Sequence, residues 1–581
     1  MASKTASKSA HKSSSRAQSG KANTAGPTNL LAGERGYQWR PKRAQLPVLM
    51  VFPNVYYLGM SNLGFQYIYR EIDSHPGCSC ERSFMPDNDT DTPRSLESGK
   101  PWRDFPLICI SAVYEIDYGN ILRLLERAGL PRLAADRGED APLILVGGPA
   151  ASANPEPLAA YVDLVVIGEG EVVIHELMDA LQELRAAGLS KHDILKTVVQ
   201  RVPGVYAPRF YGADEQGAVT PTEPDVPFPI AYRRVDGYDR FDFGSAIITP
   251  NTEFKDVYLV ELTRGCGQGC RFCLAGFLYR PVRYPSLQRV IETIEKGRTL
   301  TPKIGLMGAA VSDYPHLYEL ADYLAENPVD LSVSSVRADN IDHRFVRMLK
   351  NGGIRSLTLA PEAGSLQLRK MLNKNISDEE LVNAVECAAE GGLDSIKLYS
   401  MIGVPSETMA DIEGLVQLVA KLVHTGRPRG IKHFNVGVSS WTPKALVPLQ
   451  WAAQDTPKNL ETKVRYLEKA MARLGAKLRP DSWGWAQISG ALARGDRRVG
   501  RAIGTAVDLG YSLGAWKRAF NEHGLDAERL WGARNPEIPT PWAHVTNQVE
   551  VKHLAREYKA FNLARATPIC NVGICRMCGV C

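Results

Sequence analysis

At 581 residues the chain is too long for one small fold and long enough for three or four domains. Its 44% hydrophobic and 23% charged residues are ordinary for a globular protein, which excludes disorder throughout, and no apolar run approaches the ~18 residues of a membrane-spanning helix. The formal charge of +5 is local: Lys4, Lys8, Lys12, Arg16 and Lys21 precede Gly26 without an acid, leaving 64 cations against 64 anions in the rest. The stretch 1–36 is rich in Ser, Ala and Lys and has no apolar h-region, so it reads as a disordered tail, with a basic arm for RNA as the alternative.

Beyond the tail, strand-like runs at Val48–Phe52, Leu107–Ser111, Leu143–Val146 and Leu164–Ile167 alternate with helical patterns at Ser61–Asp73, Asn120–Ala128 and Glu171–Ala187. That alternation over 46–190 predicts a doubly wound parallel sheet covered by helices on both faces. Such sheets bind ligands at the carboxyl edge of their strands, where Gly59, Ser111, Gly147, Gly148, Gly168 and Gly170 are the candidate contacts; ordinary strand-to-helix turns are the plainer explanation of the same glycines.

Segment 200–253 is Pro-rich and irregular, a surface connector with a hairpin expected near Tyr206–Tyr211. Six further strand candidates follow, at Val257–Leu262, Ile304–Met307, Leu331–Ser334, Ser356–Leu359, Ile396–Ile402 and Phe434–Val438, separated by helix-period segments. Region 254–450 is therefore expected to be a partial or full parallel β/α barrel of TIM-like type. Helices dominate 451–565, including Asn459–Leu474 and Ala491–Asp508.

Seven of eleven cysteines sit at metal-ligand spacing, Cys266, Cys270 and Cys273 in one cluster and Cys570, Cys575, Cys578 and Cys581 in another, within 566–581. With no secretory signal in view, this favours a reducing, cytoplasmic setting and thiolates that hold a metal or cluster. The first set, C-x3-C-x2-C, follows directly on the first barrel strand. Three thiolates can ligate three irons of a [4Fe–4S] cluster and leave the fourth open. Gly265, Gly267 and Gly269 let the loop curl around such a core.

This spacing, its strand context and Phe272 before the last cysteine resemble the radical S-adenosylmethionine (SAM) superfamily. The resemblance implies that SAM chelates the open iron and is cleaved reductively to a 5′-deoxyadenosyl radical, with flavodoxin or ferredoxin as electron donor. It also implies SAM contacts at Gly308, by backbone only because the usual acid of that turn is missing, at Arg337 toward a carboxylate, at Glu362 toward polar groups, and at Ile402 and Gly403 beside the adenine. A strand-end salt bridge for Arg337 and a helix-terminal carboxylate for Glu362 are the structural alternatives.

The order of domains is similar to the cobalamin (B12)-binding class of that superfamily, and to a poorly characterised subgroup of it. The shared motifs are Tyr56 to Gly64, Pro149 with Pro155-Glu156-Pro157, Ile167 to Glu171 and Leu357 to Gly364, across most of residues 46–520. One departure is plain: the Asp-x-His-x2-Gly loop that supplies cobalamin's lower ligand is replaced by Pro53-Asn-Val-Tyr-Tyr-Leu-Gly59, without histidine. Cobalamin would lack a protein imidazole, and a vestigial domain that binds nothing is the alternative.

The C-terminal set Cys570-x4-Cys575-x2-Cys578-x2-Cys581 suits a second Fe–S cluster or a zinc site. Arg494 to Arg498 with Trp483, Trp485 and Trp516 reads as a solvated helix face over buried tryptophans, with an RNA face as the alternative. The expectation is cobalamin-dependent methylation of an unactivated centre in a substrate that is a small molecule, RNA or protein. The alternatives are cobalamin-independent radical modification of RNA or protein, and a non-enzymatic Fe–S carrier.

Overall fold

A computed structural model describes residues 27–334 and 336–581. The five cations of the expected basic tail lie outside the described residues. From Pro27 the chain is structured rather than part of a tail reaching Gly36. Pro27–Ala32 is helical, Leu30 is buried, and Arg35–Gly36 pairs antiparallel with Ile247–Ile248, held by the Arg35 to Asp256 ion pair at 2.6 Å.

Six strands form the N-terminal sheet: β1 (Leu46–Val51), β2 (Cys78–Ser83), β3 (Leu107–Ser111), β4 (Leu143–Gly147), β5 (Leu164–Val166) and β6 (Val205–Tyr206). Their order is β2-β1-β3-β4-β5-β6, parallel except for β6. The chain starts at β1, goes to one edge and returns to β3, so β1 and β3 flank the switch point at which doubly wound sheets bind ligands. Strand β2, Cys-Ser-Cys-Glu-Arg-Ser, escaped the sequence reading because it is polar, yet all six residues are buried. Arg82 is satisfied there by Glu34 and Glu97 at 2.7 and 2.6 Å, with its guanidinium over the Tyr69 ring.

The expected hairpin near Tyr206–Tyr211 is displaced. Tyr206 pairs with Val165 at the sheet edge, Pro208 opens a short turn, and the hairpin joins Tyr211–Ala213 to Val219–Pro221.

Seven parallel strands build the second unit: β7 (Tyr258–Thr263), β8 (Lys303–Gly308), β9 (Asp330–Val333), β10 (Ser356–Glu362), β11 (Ser395–Ile402), β12 (His433–Ser440) and β13 (Lys477–Pro480). One sheet is β7-β8-β9 and the other β10-β11-β12-β13; a single parallel bridge between Val336 and Leu359 joins them. Among the described residues no ladder links β7 to β13, so the barrel is partial. The intervening helices begin where the sequence supplies caps: Ser286 caps Leu287–Arg298, and Ser377 with Glu380 forms a capping box on Asp378–Glu390.

The C-terminal helices close the molecule against the N-terminal sheet. The predicted helix over Ala491–Asp508 is two, Trp483–Ala493 and Arg497–Asp508, with Asp496 capping the second. Tyr511 accepts from the Gly119 amide at 3.1 Å and its ring occupies the space a Cβ on Gly119 would need. Arg494 is fully buried and donates to the carbonyls of Gln450, Ala452, Leu530 and Gly532, and Trp516 is buried in the core shared with the N-terminal sheet. Neither a solvated face nor an RNA-binding face describes Arg494: burial and four carbonyl partners make it an internal strut.

Glu156 joins the parts. Its buried carboxylate meets Arg497 at 2.7 Å, His544 at 3.2 Å and the Tyr206 hydroxyl at 2.7 Å. Burial alone would raise its carboxyl, but His544 and Arg497 outweigh that and hold it down to about 2. A carboxyl depressed in the fold stabilises above its unfolded pKa, and the contribution is lost as pH falls toward the folded value. Glu156→Gln should cost about 3–5 kcal/mol at pH 7, because it strands Arg497 without its partner. The gap between variant and wild type should narrow as pH drops from about 4 toward 2. Denaturant midpoints measured across that range check both statements.

Candidate active site

Strand β7 delivers the chain to a loop in which Gly265 and Gly269 adopt left-handed φ of 78° and 71°. A Cβ on Gly265 would lie 2.6 Å from the Tyr279 carbonyl, so only glycine turns there without displacing the backbone. The turn brings Cys266, Cys270 and Cys273 together as free thiols. Burial pushes Cys266 up to about 12 and Cys270 to about 11, and each is pushed further by the neighbouring thiols of the set. Cys273 is raised by burial as well. Three thiols, Cys270 buried and Cys266 and Cys273 partly so, close enough to oppose one another's ionisation, suit a core that takes all three as thiolates and releases their protons. Among the described residues no three His, Cys, Asp or Glu side chains converge on a point for one metal ion. A cubane makes no such demand, because each thiolate binds a different iron.

Around Cys270 stand Lys374, Arg337 and Glu362. Glu362 ends β10 with φ of +67°, an uncommon conformation for a residue bearing a side chain and one that concentrates at functional sites. Its carboxylate meets Lys374 at 3.2 Å, and Lys374 is 8% exposed. Burial would lower the Lys374 ammonium, but Glu362 outweighs it and lifts it above its ordinary value, so the lysine is held charged. Lys374 was missed by sequence reasoning; it follows a short helix rather than a strand, and only the fold brings it back to the thiols. The guanidinium of Arg337 is already closed on Asp339 through two bonds of 3.0 and 2.7 Å, the strand-end salt bridge foreseen as its alternative.

Gly308 ends β8 opposite Thr263, whose hydroxyl is buried without a partner and would lie 2.3 Å from a Cβ at Gly308. An orphaned acceptor beside a glycine turn fits an ammonium or hydroxyl of a bound molecule. Phe272 is partly buried against the apolar cluster that contains Ala363, Val404 and Phe561. Ile402 is buried in the barrel core. Gly403, at φ +75°, lines a separate polar cavity of about 550 Å³ with Glu407, Asp455 and Lys463, whose charges pair with one another at 2.7 Å.

A cavity of about 500 Å³ lies between the two sheets. One wall is the carboxyl edge of the N-terminal sheet, with Ser111, Gly147, Gly148, Gly168 and Gly170; the other is Thr263, Arg264, Gly265 and Met307 to Ala309. Of the residues expected at that edge only Gly59 is absent from the lining. Its Cα lies against Phe84 and Phe52, where a Cβ would sit 2.5 Å from the Phe84 ring, so its role is packing. The volume falls in the ~300–1,000 Å³ range of small-molecule sites.

Charge closes one side of the cavity. Glu169 accepts from Arg283 and from the Val235 amide, and Arg264 binds Glu261 and Glu171. Sequence reasoning named the glycines of Ile167 to Glu171 and passed over the glutamates between them. The signal was present, since two acids beside a sheet edge require cations from elsewhere in the chain.

Residues 64–208 match the family model "Radical SAM proteins, N-terminal" and residues 260–419 match "Radical SAM superfamily", together more than half of the chain. The chain belongs to the radical SAM superfamily and is an enzyme of it. Among curated relatives, an uncharacterized protein of Methanocaldococcus jannaschii is 26% identical, over 78% of this chain and 90% of its own. An uncharacterized methyltransferase of Pyrococcus horikoshii is 24% identical over 48% and 58%. Among solved structures, the cobalamin- and [4Fe–4S]-bound radical SAM methyltransferase TsrM from Kitasatospora setae aligns with a TM-score of 0.45 at 16% identity, covering 68% of this chain and 74% of that one. The cobalamin-dependent SAM radical enzyme OxsB aligns with a TM-score of 0.43 at 12% identity over 89% and 80%. No helix among the described residues is long and apolar enough to cross a membrane.

Lys374→Met should leave iron content unchanged and weaken SAM binding at least about tenfold, the scale of one hydrogen bond to a charged group. Lys374→Arg should recover part of the loss. Equilibrium dialysis of SAM against each reconstituted variant, alongside iron analysis, is the check.

Proposed function

We propose that this enzyme cleaves SAM reductively at a [4Fe–4S] cluster held by Cys266, Cys270 and Cys273, and uses a corrinoid seated in the interdomain cavity to methylate an unactivated centre. The observation that carries the reading is the cavity itself, whose walls are the carboxyl edge of a doubly wound sheet and the loop that bears the three thiols. When bound, the cluster and SAM supply a 5′-deoxyadenosyl radical and the corrinoid supplies a methyl carrier.

The residues present fit both groups. For SAM, Lys374 offers an ammonium to a carboxylate, Glu362 a carboxylate to polar hydrogens, and the unpartnered Thr263 hydroxyl an acceptor beside Gly308. For a flat macrocycle, Met50, Ile110, Leu145 and Val166 give an apolar floor, while Gly147 leaves the backbone bare, its nearest neighbour to a Cβ being Val166 at 3.8 Å. No histidine lines the cavity, so the corrinoid would sit without an imidazole from the protein. The paired charges of Glu169, Arg283, Arg264 and Glu171 tie the turn after β5 to the root of the thiol loop and fix that side of the cavity.

Anaerobic reconstitution with iron, sulfide and hydroxocobalamin should yield about one corrinoid per chain by absorption. Gly147→Trp, which directs a ring into the cavity, should lose the corrinoid and keep its iron. If the wild type retains no corrinoid yet forms 5′-deoxyadenosine in the presence of an RNA or protein substrate, the methylation reading fails and the cavity is a substrate site.

A further inference from the structure

We propose that the C-terminal segment is the electron inlet of this enzyme: its four cysteines hold a second iron–sulfur cluster, and the apolar, basic surface around them docks an acidic one-electron carrier protein.

The segment is built onto the first thiol loop. The Cys570 amide donates to the Gly267 carbonyl at 2.8 Å, and Gly267 follows Cys266, so one residue and one hydrogen bond connect a thiol of each set. Asn373 ties the same two loops, donating to the carbonyls of Gln268 and Gly269 at 3.3 Å while accepting from the Thr567 amide at 2.8 Å. Arg271, in the middle of the first thiol loop and fully buried, reaches Glu557 at 3.0 Å, the Arg565 carbonyl at 2.6 Å and the Thr567 hydroxyl at 3.0 Å. Burying a guanidinium to fix a chain terminus against a catalytic loop is expensive unless the contact has a use.

The four thiols form a set. Cys570 and Cys575 line one small cavity with Arg280 and His553, the Cys575 amide donates to the Asn571 carbonyl at 2.8 Å, and Cys578 is buried among Phe277, Trp451 and Leu554 with its carbonyl accepting from the Glu550 amide at 2.9 Å. Four thiolates within twelve residues supply one ligand to each iron of a cubane, and the zinc arm of the test below separates that core from a single ion.

The surroundings identify the partner. Ile569, Val572, Ile574 and Met577 are exposed by 59, 43, 76 and 39%, interleaved with the cysteines, an apolar concentration that marks a contact surface. Between Glu550 and Cys581 the chain carries Lys552, Arg556, Lys559, Arg565 and Arg576 against Glu550, which pairs with Lys552 at 3.2 Å, and Glu557, which is spent on Arg271. The described body is otherwise near charge balance, so this excess would steer a negatively charged protein to the segment. Each transfer moves one electron and no proton: the carrier is oxidised by one electron as the C-terminal site is reduced, and that site is reoxidised as the site at Cys266 is reduced.

The inference rests on the radical SAM chemistry and is independent of the corrinoid, so its failure is distinct from that of the methylation reading. The full chain carrying Cys266→Ala, Cys270→Ala and Cys273→Ala, reconstituted with iron and sulfide, should retain roughly half the wild-type iron and an electron paramagnetic resonance signal after dithionite. Adding Cys575→Ala and Cys578→Ala should abolish both. A triple variant that holds zinc, or no metal, overturns the proposal. In the chain with all cysteines intact, Lys559→Glu, Arg565→Glu and Arg576→Glu together should slow reduction by an acidic ferredoxin about tenfold and leave dithionite reduction unchanged. A carrier-driven rate equal to wild type overturns it from the other side, without reliance on any cysteine variant.

Discussion

The contact between Glu169 and Arg283 is the constraint on which the site depends. Glu169 lies in the turn after β5, and its carboxylate, almost wholly buried, is held by Arg283 at 2.7 Å. Arg283 in turn pairs through its backbone with Arg264, two residues before Cys266, with amide-to-carbonyl bonds of 2.9 and 3.0 Å in both directions. One ion pair therefore links the ligand edge of the N-terminal sheet to the root of the thiol loop. Removing either partner would leave the other charged in a buried place, a penalty several times the value of a surface pair. Apolar residues such as Leu278 also pack the two halves together, but that contact has no directional preference, and the ion pair is what fixes their register.

Strand direction explains why both halves face the same gap. In a parallel sheet every strand ends on the same side, and the turns that leave those ends are where backbone is free to meet a ligand. The N-terminal sheet ends at Ser111, Gly147 and Gly168, and the barrel ends at Thr263, Gly308 and Glu362. Packing the C-terminal helices through Tyr511 and Trp516 onto the N-terminal sheet, while helix Val551–Asn562 supports the barrel loop through Glu557, leaves these two edges opposed across a cavity. The unusual backbone of Glu362 belongs to the same logic. A side chain at φ +67° is turned away from the direction a normal strand residue takes, and here that brings its carboxylate to Lys374 and the thiols.

Much of this was legible in the residues. The runs at Leu107–Ser111, apolar up to its terminal serine, and Leu143–Val146 are near-continuously apolar because a buried parallel strand meets helices on both faces, and the structure returns them almost residue for residue. The thiol loop was legible because metal ligation imposes short, fixed spacings. What escaped was whatever depends on a distant partner. Strand β2 is polar, and its burial is intelligible only once Glu34 and Glu97 are seen around Arg82. Arg494 looked like surface because nothing local announces the four carbonyls that enclose it. Strand β13 has only four residues, ends in proline and lies at a sheet edge, the one place that tolerates it.

The distribution of cations around the sulfur atoms follows from the same electrostatics that make the thiols hard to ionise alone. Cys266 and Cys270, raised to about 12 and 11 by burial, become ligands only if something offsets the charge they acquire. Lys374 and Arg337 do so at Cys270, and Arg280 does so at Cys570 while its guanidinium lies 3.3 Å from the position of a Cβ on Gly269. Arg280 thus stands between the two thiol sets and faces both. The chain keeps Arg280 anchored to the Gly276 carbonyl at 2.7 Å, over the Phe277 ring and 3.4 Å from the His553 imidazole, and among the described residues no carboxylate bonds it. An arginine without an acid in such a place suits the negative charge that ligated thiols would bring. On the proposed reading, loading the two sites and satisfying Arg280 would be one event.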